Sequence, residues 1–177
     1  MKKFILIMMI CLVLSGCGAS TPASSGGSGN SPQSGSSDST VIHFDDTVIF
    51  ENDDLKISLT DFYTEEMNWT EGKETESIVN FKIKNKSSSD MLINFRGFLD
   101  DEKASCIMHN TGNKFEAGKS ANSTYIIKRE AVPKNKALDS VEELYDLNGT
   151  FEVMIYTPDD KLKDYMDIDF AVKDVVK

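Results

Sequence analysis

The chain has 177 residues, with 29 acidic against 19 basic side chains and a formal net charge of −10. An acidic surface repels phosphate backbones and anionic lipid headgroups, which argues against nucleic-acid binding and against direct docking on a membrane. Beyond residue 40 the length suits one domain with a real hydrophobic core.

The chain opens with Lys2 and Lys3, followed by an apolar run from Phe4 to Val13 that closes on Leu14-Ser15-Gly16-Cys17. A positive start, a short apolar stretch and small residues at the break mark a secretory signal. The run is shorter than the roughly 20 residues of a permanent membrane-spanning helix. Ser15-Gly16 alone would fit an ordinary cleaved signal. Leu14, three positions before Cys17, goes further: the four residues resemble the lipobox of bacterial lipoproteins. In that family the cysteine receives a diacylglycerol group, the chain is cut just before it, and the new N-terminus is usually acylated. The resemblance implies a signal peptide over 1–16, a lipidated Cys17, and residence on the extracellular face of the cell membrane. Each buried acyl methylene contributes about 0.8 kcal/mol, so two or three chains hold firmly where one does not. Cleavage before Cys17 removes Lys2 and Lys3 and takes the net charge to −12.

From Gly18 to Thr40 the residues are Ser, Gly, Thr, Asn, Ala, Pro and Gln, with one charge, Asp38. Such a stretch cannot bury enough surface to offset its chain entropy and is expected to be a disordered linker over 17–40. A Gly/Ser coil of this length has a mean span of about 25–30 Å.

Residues 41–177 alternate with period two. Leu55, Ile57 and Leu59 alternate with Lys56, Ser58 and Thr60; Val79, Phe81 and Ile83 with Asn80, Lys82 and Lys84. Phe151, Val153 and Ile155, and then Met166, Ile168, Phe170 and Val172, repeat the pattern. Each predicts a half-buried strand. Thr47–Phe50, Met91–Leu99, Ala104–His109 and Ser123–Lys128 read as further strands. Turn clusters separate them at 51–54, 85–90, 100–103, 110–113 and 157–160. Seven or eight short strands with such turns predict an all-β fold, an antiparallel β-sandwich. One stretch differs: Ser140-Val141-Glu142-Glu143 has capping-box spacing and predicts a short helix from Val141 to about Asp146, stopped by Asn148-Gly149. Cys106, the one cysteine left once Cys11 is cleaved off and Cys17 is lipidated, lies in an apolar run and reads as a buried, inert thiol.

The order from Gly72 to Lys128 is charged loop, strand, Asn-Lys-Ser-Ser-Ser turn, strand, acidic turn, then Phe115-Glu116-Ala117-Gly118-Lys119-Ser120 before a further strand. It resembles the immunoglobulin-like, telokin-like domains of Gram-positive lipoproteins, the DUF4352 type. In those domains a strand ends in a polar K-N-x-S turn and an x-x-G-x-S turn precedes a later strand. The resemblance implies an immunoglobulin-like sandwich in an exported, lipid-anchored context, and it supplies no catalytic residues.

The residues point away from an enzyme. There are two histidines, His43 and His109, and no G-x-S-x-G, H-E-x-x-H, Cys-x-x-Cys or Gly-rich phosphate loop. No cofactor is expected. The clusters Asp45-Asp46, Asp53-Asp54, Asp100-Asp101-Glu102 and Asp159-Asp160 lack the spacing of a local calcium loop and read as solvated turns. The candidate for recognition is the loop Thr64–Glu76, which holds the sole tryptophan, Trp69, with Met67 two residues before it. Large aromatics are enriched at binding hot spots. The alternative is that Trp69 folds back over the core edge. Two functions fit: a non-catalytic binding or adaptor module that meets an unknown protein or cell-wall ligand, or a structural accessory subunit of a membrane or envelope complex.

Overall fold

The computed structural model describes residues 40–100, 102–109 and 112–176. The leader, Cys17 and the Ser/Gly-rich segment up to residue 39 lie outside the described residues.

The domain is all-β and antiparallel. Its strands are β1 (Val41–Glu51), β2 (Leu55–Trp69), β3 (Gly72–Asn85), β4 (Met91–Leu99), β5 (Glu102–Met108), β6 (Lys114–Phe115), β7 (Ser120–Arg129), β8 (Lys136–Ala137), β9 (Leu147–Tyr156) and β10 (Leu162–Ala171). Two of the ten are two-residue pairings, β6 on β4 and β8 on β7; the other eight match the expected strand number. They follow one hydrogen-bonded path, β1–β2–β3–β7–β5–β4–β9–β10.

This path curls until its two halves face each other as layers. Phe81 on β3 and Phe151 on β9 are far apart along it, yet their rings meet edge-on at 4.9 Å between centroids. Phe95, Tyr125 and Phe170 complete the cluster around Phe81, and the alternating apolar residues of β2, β3, β4, β7 and β9 form one core with it. Strand β5 joins the layers: its start pairs with β4 and its remainder with β7, and Ala104 sits opposite both Gly97 and Arg129. A strand that passes from one layer to the other makes the corner of the sandwich.

The two polar turns that carry the sequence resemblance meet in space. Asn85 is fully buried. Its amide donates to the carbonyls of Ser89 and Phe115 at 2.8 and 3.0 Å, and its oxygen accepts from the Ser87 backbone and hydroxyl. Gly118, at φ 69°, closes the facing turn and donates its N–H to the Ser87 carbonyl. Asp45-Asp46, expected as a solvated turn, lies inside β1 where its register with β2 shifts; Asp46 there, and Asp100 and Asp160 in turns, adopt positive φ, a conformation Asp tolerates better than most side chains.

Four elements differ from the sequence reading. Strand β2 continues to Trp69 and β3 begins at Gly72, so the expected loop Thr64–Glu76 is the end of a long hairpin. The short helix is a 3-10 helix over Val141–Asp146, and the Ser140 N–H donates to Glu143 as the capping box requires. Asn148-Gly149, expected as the stop after it, instead lies inside β9. Gly149 is buried there, and a Cβ at that position would overlap the Arg96 carbonyl oxygen and the Phe95 ring. Close approach, and not a turn, explains this glycine. Val172, expected at the end of the last strand, opens a short helix, α1 (Val172–Val175).

Candidate functional site

A single extra residue decides what the hairpin end displays. In the first part of β2 the odd positions Leu55, Ile57 and Leu59 enter the core. The register with β3 slips between Leu59 and Asp61, and from there Phe62 faces the core instead. This β-bulge reverses the phase of everything beyond it. Tyr63, Glu65, Met67 and Trp69 therefore point to the outer face of the sheet.

On that face an apolar row crosses four strands. Tyr63 of β2 pairs with Ile78 of β3, Ile78 with Ile126 of β7, and Ile126 with Ile107 of β5. Ile78 and Ile126 are buried beneath Met67 and Tyr63, a small second cluster apart from the main core. At its rim Trp69 and Ile107 remain 39% and 40% exposed. A charged row lies beside it. Glu76 is 0% exposed and Lys128 has an 8% exposed side chain; the Lys128 ammonium sits 2.6 Å from Glu76 Oε1. The same oxygen accepts the Trp69 indole N–H at 2.7 Å, and the ammonium stands 5.2 Å from the centre of the indole ring, within cation–π range. Glu76 Oε2 is buried without a hydrogen-bond partner among the described residues.

Further charges close the edge. Lys128 also reaches Glu74 at 3.3 Å, and Lys134 bridges Glu74 and Glu71 at 2.6 and 2.9 Å. Hydrogen bonds from Lys134 and then Lys128 hold the Glu74 carboxyl below its ordinary pKa, and hydrogen bonds to Glu74 and Glu71 raise that of Lys134. Between Trp69 and this edge lies an open groove of about 400 Å³, lined also by Thr70, Ile107 and Pro133. A second hollow of about 390 Å³ borders Trp69, with Glu65, Glu66, Met67, Asn68 and His109. Neither set of lining residues pairs a Ser or Cys with a histidine. The arrangement offers an aromatic and aliphatic surface with fixed hydrogen-bonding groups beside it, which is the chemistry of binding.

The structure gives Met67 and Trp69, the two candidate recognition residues, different roles. Met67 is buried as a cover for Ile78 and Ile126, so the correction for Met67 is that it shapes the face without presenting a free side chain. Trp69 combines both readings of its ring, tied down through nitrogen and bare on its surface. Glu76 ends the stretch Thr64–Glu76 expected as the recognition loop but is not singled out there, and Lys128, Ile107 and Lys134 carry no signal in the sequence that marks them out. They lie 7 to 65 positions from Trp69 in the chain, and only the pairing of β3, β5 and β7 assembles them. His43 lies on β1 with Nδ1 2.6 Å from Asp61 Oδ1 on the surface, and His109 follows β5 at the second hollow. Among the described residues no three His, Cys, Asp or Glu side chains converge as a metal site. Cys106 is partly exposed by surface area, but burial of its sulfur is the main effect on its thiol and pushes the pKa up to about 12.

No family model matches the chain, and no curated protein matches it. Among solved structures it is similar to a functionally unknown protein from Listeria monocytogenes EGD-e, at 13% identity and a TM-score of 0.41, over 77% of this chain and 88% of that one.

Proposed function

We propose that this protein is a lipoprotein anchored through Cys17 on the extracellular face of the membrane, and that its immunoglobulin-like domain is a non-catalytic binding module. Leu14-Ser15-Gly16-Cys17 behind a short apolar leader supports the anchor. The observation that carries the binding reading is Trp69, bare on its surface but fixed by Glu76 and Lys128. An exposed aromatic held in one orientation loses little freedom when a partner covers it, and that raises affinity. The outer face of β2, β3, β7 and β5 around Trp69 and Ile107 is the contact surface.

Two measurements test the two halves. Cys17→Ala is expected to leave the protein unprocessed or to release it from the membrane fraction; normal cleavage with full detergent-dependent association would sink the anchor. Crosslinking on intact cells with the native lipoprotein as bait is expected to recover a partner that Trp69→Ala loses. Recovery undiminished by that substitution removes this face as the contact surface.

A further inference from the structure

The outward side chains of β3 change character along the strand. From the hairpin they run Glu74, Glu76, Ile78, Asn80, Lys82, Lys84. The face that is acidic at Trp69 is therefore basic at its other end, and there lysines from two strands crowd together. Lys56 of β2 is directly opposite Lys84 of β3, and Lys82 is the next outward residue along β3, opposite Ser58. Together with Asp46, Ser58 and Ser120 these lysines line a hollow of about 270 Å³. Ser58, at 2% exposure, lies at its floor. Lys82 pairs with Asp46 at 2.7 Å and Lys56 with Glu51 at 3.3 Å, while Lys84 makes no ion pair among the described residues.

This arrangement works against the fold. Like charges directly opposite each other destabilise an antiparallel pair. A glutamate or threonine at position 84 would relieve the repulsion, and the chain has acidic residues in excess. Compensation here is partial, since Lys56 shares Glu51 with Lys86 and Lys84 has no partner among the described residues, and an under-compensated local violation of a stability rule points to a site. An anion seated between the two ammonium groups would complete the compensation. Lysine is a compact cation that suits phosphate as a point charge.

We propose that this hollow binds a phosphate group between Lys56 and Lys84, with the Ser58 and Ser120 hydroxyls as further donors. The site lies at the opposite end of that face from Trp69, shares no lining residue with the Trp69 groove and does not depend on it. The same chemistry can reach it from a soluble phosphate compound or from a lipid headgroup, and one experiment distinguishes these. The full chain is reconstituted in phosphatidylcholine vesicles and treated with an amine-acylating reagent, in inorganic phosphate or in chloride of equal ionic strength. The modification of each lysine is read by mass spectrometry. Phosphate is expected to protect Lys56 and Lys84 severalfold relative to Lys163 and Lys173, which are exposed elsewhere. Lys84→Gln is expected to abolish the protection of Lys56 while leaving the circular dichroism spectrum and melting temperature unchanged or raised. Protection without added phosphate, found only when phosphatidylglycerol is in the vesicles, assigns the phosphate to a headgroup. Protection in neither setting, protection equal to that of Lys163 and Lys173, or protection of Lys56 that survives Lys84→Gln overturns the proposal.

Discussion

At the scale of single residues, buried polar groups decide most of what can be tested. Asn85 satisfies two carbonyls and one backbone N–H that the ladder leaves free where β3 ends. Removing its side chain strands those groups in the interior, at about 1–3 kcal/mol for each. Asn85→Ala is therefore expected to destabilise by about 3 kcal/mol or more in chemical denaturation, and a loss below about 1 kcal/mol would show that water replaces the side chain. The pair Glu76–Lys128 behaves differently. Breaking a buried ion pair from one side leaves an uncompensated charge, whereas replacing both partners by apolar groups is often neutral or stabilising. Lys128→Met alone should cost about 3–5 kcal/mol, and Glu76→Leu with Lys128→Met should recover most of that loss. The double variant also frees the indole N–H of Trp69. If the pair serves to orient Trp69, partner binding falls in the double variant although stability returns. Intrinsic fluorescence reports the same change, because Trp69 is the sole tryptophan.

Among the elements, the long hairpin of β2 and β3 shows what is legible in the sequence and what is not. The alternation of Leu55, Ile57 and Leu59 against Lys56 and Ser58 identifies a strand and its buried face. The same alternation cannot reveal that the phase reverses near Thr60, because a bulge is a property of two strands in register. The stretch Thr64–Glu76 beyond it, including Trp69, therefore reads in the sequence as a loop of charged residues. The charges are in fact cross-strand neighbours, as when Lys73 reaches Glu66 at 2.5 Å. The short helix is legible because its signal is local: Ser140 and Glu143 lie three residues apart and need no distant partner. What the sequence cannot show is that Glu143 also meets Arg129 of β7 at 2.6 Å. Burial opposes the charge on Glu143, but Arg129 and the N–H groups of Asp139 and Ser140 outweigh it and hold the carboxyl below its ordinary value of 4.5. Its folded pKa lies below the unfolded one, so this contribution is complete above pH 4.5 and is lost as the pH falls through the folded value. Arg129→Gln should lower stability at pH 7 by about 1–2 kcal/mol, between an exposed ion pair and a buried charged hydrogen bond. The difference from wild type should shrink as Glu143 protonates below pH 4.5; a difference that stays constant at every pH below that value would assign the loss to Arg129 packing instead.

For the whole molecule, the continuity of the sheet sets how it should unfold. A sandwich of two unconnected sheets could part along its core, but here β5 hydrogen-bonds to both layers. Phe81 lies where the layers meet, with the rings of Phe95, Tyr125, Phe151 and Phe170 between 4.9 and 6.1 Å from it. Truncating a fully buried phenylalanine removes its transfer free energy and leaves a cavity, together about 3–5 kcal/mol. Phe81→Ala and Phe151→Ala should each show a loss of this size, and each should weaken both layers at once. The hairpin end tests whether that coupling extends beyond the main core. Ile78 and Ile126 belong to the outer cluster but sit on the same strands as Phe81 and Tyr125. The outer cluster can therefore come apart alone only if β2 and β3 fray from their Trp69 end. The buried Glu76–Lys128 pair and the indole hydrogen bond oppose fraying. Unfolding followed by Trp69 fluorescence should then coincide with unfolding followed by far-ultraviolet circular dichroism, as for a cooperative domain. Phe81→Ala, distant from Trp69, should shift both curves by the same amount. A fluorescence transition that precedes the loss of strand signal, and that Phe81→Ala leaves in place, would show the Trp69 end to be a separate, weaker unit. The face would then not be pre-organised, and the affinity expected from a fixed indole would be lost with it.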